Sequence, residues 1–173
     1  NLACNHLYEE AGKIIAEALS GNTILTNLSV AGSRITASPS HRNSGEAVQQ
    51  LAAAALSSKS LEVLSDIPIK ELREDRHTFL QLSRKGLGPT ESIVLAELIK
   101  GTVVLTGLNL ANNQLCEIDT LGRSPYNTSG ITAIAEMLKS CALTDLNLRS
   151  NGIGAEGTKA LANALASGAV VTL

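Results

Sequence analysis

The sequence predicts an α/β solenoid, a curved parallel sheet on a concave side with helices along the convex side. Three observations predict it. An eleven-residue pattern recurs, as "LTGLNLANNQL" at 105–115 and "LTDLNLRSNGI" at 143–153. Stretches with helical apolar spacing separate strings of this kind along the chain. Of 173 residues, 44 % are hydrophobic but only 2 % aromatic, with one Phe, two Tyr and no Trp. A core without large rings has to be built from Leu, Ile, Val and Ala, which suits thin, regular layers.

The strings are strand signals. Leu105, Leu108, Leu110, Asn113 and Leu115 fit L-x-x-L-x-L-x-x-N-x-L at every fixed position, and Leu143, Leu146, Leu148, Asn151 and Ile153 fit it with one aliphatic exchange. "LTNLSVAGSRI" at 25–35 keeps the apolar frame with Ser33 in the Asn position, and "HTFLQLSRKGL" at 77–87 places Lys85 there. The opening "NLACNHL" matches the tail of the motif, with Asn5 in the Asn position. Strand side chains alternate, so Leu108 and Leu110 fill an inner layer while Gly107, Asn109 and Ala111 face outward. Asn113 comes as the chain leaves the strand, where its amide can satisfy backbone groups that no ladder reaches. Lys85 cannot accept a hydrogen bond, so this copy is expected to be irregular there.

Helical segments alternate with the strands. Residues 154–168 carry Ala160, Leu161, Ala164 and Leu165 at helical spacing, and 88–101 opens near Pro89 and closes at Gly101. Similar segments run over about 9–19, 45–56 and 129–138. First-leucine positions fall at 25, 61, 77, 105, 143 and 171, giving spacings of 36, 16, 28, 38 and 28. A strand–helix unit of 28 residues carrying this motif resembles the leucine-rich repeat proteins of the ribonuclease-inhibitor-like class, which includes ribonuclease inhibitor, the sensor regions of NOD-like receptors and the Ran GTPase-activating protein. The resemblance covers nearly the whole chain and implies one leucine-rich repeat domain over 1–173. It is specific for fold and almost silent on function.

The spacings depart from 28 in two ways. The unit at 61–77 is too short for a full helix; Asp66 falls where an aliphatic residue belongs, Pro68 follows, and a truncated repeat or kink is expected. The long spacings hold insertions at 36–45, "TASPSHRNSG", and 116–130, "CEIDTLGRSPYNTSG", both between strand end and helix start. Loops so placed are candidate binding loops. Neither end shows a polar cap, so a fragment of a longer array is expected, its ends covered by further repeats or another chain.

Composition excludes several classes of function. Fourteen basic and sixteen acidic residues leave a net charge of 14 − 16 = −2 without any Lys/Arg run, which argues against a nucleic-acid partner. The apolar runs are too short for a membrane span. Cys4, Cys116 and Cys141 are odd in number and scattered, so neither a disulfide framework nor a CxxC metal site is indicated, and a cytoplasmic setting is expected. His6, His41 and His77 share no spacing with a Cys or a carboxylate. "GLGPTES" and "AGK" lack the spacing of a phosphate loop. The sequons at Asn27 and Asn127 read as chance. No catalytic, cofactor-binding or metal-binding residue is assigned.

A protein–protein interaction module, acting as sensor or scaffold rather than enzyme, is the expectation that remains. Its surface would be the concave row, Asn1, Ser29, Ser65, Gln81, Asn109 and Asn147, flanked by Asn27, Phe79, Ser83, Asp145 and Arg149, together with loop residues His41, Arg42, Arg123 and Tyr126. Phe79 and Arg149 are the anchor types in a small polar row. Phe79 has a second expected position, tucked into the turn beside Asp66 and Pro68. Two alternatives stay open. The resemblance permits a GTPase-activating protein of the Ran-regulator type using Arg34, Arg42 or Arg123, although no motif around them matches and no acidic tail is present; the open ends permit a structural subunit of a large assembly.

Overall fold

The computed structural model describes residues 1–5, 7–33, 35, 46–116 and 127–167. Its elements run α1 (Glu9–Ser20), β1 (Asn27–Leu28), α2 (Glu46–Ser57), β2 (Val63–Leu64), α3 (Ile69–Arg73), β3 (Phe79–Gln81), α4 (Pro89–Ile99), β4 (Gly107–Asn109), α5 (Ser129–Met137), β5 (Asp145–Asn147) and α6 (Gly154–Ala166). Five helices fall where apolar periodicity places them; α3 is an extra helix of one turn.

The expected solenoid with one curved sheet is corrected by the strand pairing. The strands, two or three residues long, form two separate parallel sheets, β1–β2 and β3–β4–β5, and no long curved sheet appears among the described residues. The molecule is a small α/β domain, and the repeat-solenoid description does not hold for it. The physical reason lies in the short unit. Ser65 and Asp66 both take left-handed backbone, φ +48° and +67°, and turn the chain back on itself. Leu64 N–H donates to Ile67 O at 3.0 Å and Ile67 N–H returns to Leu64 O at 2.8 Å, closing a tight two-residue hairpin. The strand therefore ends at Leu64 and makes no ladder with β3. Ile67, at 0 % exposed, is buried by the fold-back in place of the missing aliphatic at Asp66.

Helices pack in chain order, α1 on α2, α2 directly on α4, α4 on α5 and α5 on α6, with α3 touching α2 and α4. Leu28, Leu64, Leu80, Leu108 and Leu146 project from the strands into the apolar layer beneath them. Helix α4 is buried on nearly every side, its Thr90, Glu91 and Ser92 included. The short unit is secured by Arg73, whose guanidinium donates to the carbonyls of Ser58 and Leu61.

Asn113 performs the role its position predicts. Its Oδ1 accepts from Lys85 N–H and Leu87 N–H at 2.9 and 3.2 Å, while Nδ2 donates to the Leu82 and Leu110 carbonyls at 2.8 and 2.9 Å. One side chain thereby satisfies two turns. The turn at Lys85 keeps the backbone form of the others because its neighbour's Asn serves it, a correction to the expected irregularity. Ser33 does a reduced version, its hydroxyl donating to Leu2 O at 3.4 Å. The residue before the Asn position is left-handed in every unit with this turn: Cys4, Gly32, Arg84, Asn112 and Ser150.

Gly130 shows how tightly α5 meets α4. A Cβ there would overlap the Leu115 carbonyl and lie 2.9 Å from Pro89 Cα and 3.1 Å from Ser92 Cβ, two of them backbone atoms with no room to move. Gly130→Ala is expected to destabilise the chain by about 1–3 kcal/mol. Gly21→Ala, with ordinary φ −94° and no atom within 4 Å of the new Cβ, is expected to be neutral or to stabilise by up to about 1 kcal/mol. Urea unfolding of the two variants measures both, and equal midpoints would contradict the close packing.

Candidate functional site

The residues that sequence reasoning selects fall into three places. Phe79, Gln81, Asn109, Asp145, Asn147 and Arg149 come together on the outward face of β3–β4–β5 and at the exit of β5. Register aligns Phe79 with Gly107 and Asp145, and Gln81 with Asn109 and Asn147. Asn27 belongs to the other sheet, where it pairs in register with Val63, and Ser29 directly follows that strand. His41, Arg42, Arg123 and Tyr126, with most of both insertions and with Arg34, lie outside the described residues.

Ser65 is not part of the outward row. It is 2 % exposed, and its left-handed backbone turns its hydroxyl inward to accept from Val30 N–H at 3.0 Å and to donate to Glu91 Oε1 at 3.3 Å.

Phe79 does not tuck beside Asp66 and Pro68. Its ring lies over Gly107 on the neighbouring strand, where a Cβ would strike the ring carbons. The ring stays 49 % exposed. The missing side chain at Gly107 leaves the room that the Phe79 ring occupies, and its outward position was the sequence signal for this seat.

Each amide of the central row is already tied on one side. Gln81 Oε1, Asn109 Oδ1 and Asn147 Oδ1 accept from the backbone N–H two residues on, at Ser83, Ala111 and Arg149, over 3.4, 3.0 and 3.1 Å. The oxygens stabilise the strand exits, so the row presents its NH2 groups outward as donors. Asp145 and Arg149, both exposed, have no ion-pair partner among the described residues.

The group that sequence reasoning missed is Glu91. Its Oε2 accepts from Gly88 N–H at 3.0 Å, closing the first turn of α4, and its Oε1 takes the Ser65 hydroxyl. Burial pushes its carboxyl up to about 6, against hydrogen bonds from Gly88 N–H, its own N–H and Ser65 that favour the charged form. The Gly88-Pro89-Thr90-Glu91 order, an acid three residues after a helix start, was its signal. Burial also raises the Cys141 thiol, which disfavours a thiolate nucleophile there.

Among the described residues, no three or more His, Cys, Asp or Glu come together to hold a metal ion. His77 Nε2 pairs at 2.5 Å with Glu71 Oε2 on α3. No helix of the described residues is long and apolar enough to cross a membrane. Comparison with protein-family models and with curated proteins finds no match to the chain.

Glu91 makes stability depend on pH with a definite sign. Its folded value of about 6 lies above the ordinary 4.5, so between these values the folded state binds more protons than the unfolded one. The contribution is greatest below about pH 4.5 and is lost as pH rises through 6, a change of about 2 kcal/mol. Glu91→Gln removes this component, so the wild type should lose stability relative to the variant between pH 4.5 and 7. Unfolding midpoints of both proteins across that range measure it, and parallel curves would show that Glu91 does not titrate as described.

Proposed function

We propose that the chain is a non-enzymatic protein-binding module, acting as a sensor or scaffold, and that its recognition surface is the outward face of β3–β4–β5. The observation that carries this reading is Phe79, a half-exposed aromatic ring seated against Gly107 and in line with Asp145. A large ring backed by the sheet on one side offers broad apolar contact on the other, the property of interface anchors. Around it stand the amide donors of Gln81, Asn109 and Asn147, suited to the backbone carbonyls of a partner segment crossing the strands. A cytoplasmic setting belongs to the same reading, supported by cysteines that are few and odd in number.

Phe79→Ala should abolish capture of a protein partner in a pull-down while shifting stability by about 1 kcal/mol or less, because the ring is half in water already. Ile14→Ala removes another apolar side chain, 59 % exposed on α1, and should leave capture unchanged. Retention of the same partners by the Phe79 variant would overturn the assignment of this face.

A further inference from the structure

The outward face of β3–β4–β5 offers hydrogen bonds in one direction only. Gln81, Asn109 and Asn147 stand in register, about 4.8 Å from strand to strand. In each, the oxygen is held by a backbone N–H, which can bond to an oxygen but not to an NH2 group, so the orientation of the amide is fixed. Three NH2 groups are left as donors, and none of them makes a hydrogen bond among the described residues.

The charges on this face follow the same direction. Arg149 comes two residues beyond the row at the exit of β5, and Arg84 and Lys85 come at the exit of β3, after Ser83. Lys85 is taken up by Asp66 at 3.8 Å. Arg84 and Arg149 are exposed and have no carboxylate partner among the described residues. Over Phe79 to Lys85, Gly107 to Asn112 and Asp145 to Ser150 the sole acid is Asp145, on the entry side of the row and in line with Phe79. The entry side is thus apolar and acidic, and the exit side is donor-rich and cationic.

A neutral peptide backbone brings as many N–H groups as carbonyls, and its N–H groups would find no acceptor on this row. A carboxylate brings acceptors alone, and its hydrogen bonds are the stronger, charge-assisted kind. Spacing suits one chain to both features. Phe79 lies about 6.6 Å along the strand from Gln81 and about 8 Å diagonally from Asn109, so alternate side chains of an extended segment crossing the strands obliquely reach both.

We propose that the partner this face takes is an acidic peptide segment in extended form, which lays an apolar side chain on Phe79 and carboxylates on the donor row and the arginines at its exit. This rests on the reading of the face as a recognition surface and adds the chemistry of what it recognises. Asp145 sets the polarity, because it repels a carboxylate from the entry side. The row lies on the face and not at an edge, so a strand beyond β5 would lengthen it and cover none of it.

The test is fluorescence anisotropy with the whole 173-residue chain and three short, capped, labelled peptides. Each has one leucine followed at alternate positions by three variable residues in a glycine–serine background, the variable residues being glutamate, glutamine or lysine. The glutamate peptide should bind about tenfold or more tighter than the glutamine peptide, and the lysine peptide should not bind. Raising salt from about 50 to about 500 mM should remove the advantage of glutamate. Asn109→Asp keeps an oxygen for Ala111 N–H and puts a carboxylate oxygen where the outward NH2 was. It should weaken the glutamate peptide by about tenfold and admit the lysine peptide, a gain that a misfolded variant would not show. Phe79→Ala should release the glutamate and glutamine peptides alike. Equal binding of these two peptides, both lost with Phe79→Ala, overturns the acidic partner and leaves the face as the recognition surface. A glutamate preference indifferent to both substitutions places the binding elsewhere and overturns both readings. Binding of none of the peptides overturns the acidic segment alone, since the pull-down with Phe79→Ala still tests the face.

Discussion

Glu91 holds together the point at which the strand layer breaks. Helix α2 packs directly on α4 across that point, while β2 ends in a hairpin and makes no ladder with β3. In the regular units, Leu82 N–H and Leu110 N–H reach the carbonyls of Asn109 and Asn147 on the next strand. Beside the hairpin that ends β2, the equivalent Val30 N–H donates to the Ser65 hydroxyl, which in turn donates to Glu91, whose second oxygen accepts from Gly88 N–H. A relay through one side-chain oxygen and one buried carboxylate thus stands in for a backbone carbonyl. Leaving Val30 N–H unsatisfied at the core would cost about 1–3 kcal/mol. Burying the carboxylate costs something comparable, and the raised Glu91 value is the visible form of that cost.

Legibility in the sequence followed the range of the interactions. Helices α1, α2, α4, α5 and α6 were readable because each rests on its own apolar period, and the strands were readable because Leu and polar residues alternate. The role of Asn113 was readable because its carboxamide acts within a turn and on the adjacent one. The division into two sheets was not. Asp66 and Pro68 announced a disturbance, but only the left-handed pair Ser65–Asp66 turns it into a hairpin, and few non-glycine residues adopt that backbone. Helix α3 escaped detection because five residues are too short to display a period.

The candidate face was half legible for a related reason. Alternation assigns Phe79, Gln81, Asn109, Asp145 and Asn147 to one side of their strands, and register then aligns them. Alternation would also have placed Ser65 there, and local backbone reversed it. Nor could it show that the amide oxygens of the row are engaged by the N–H groups two residues on. That detail changes the chemistry of the face. A row of carboxamides with both ends open would present donors and acceptors alike, whereas one with its oxygens tied down presents donors.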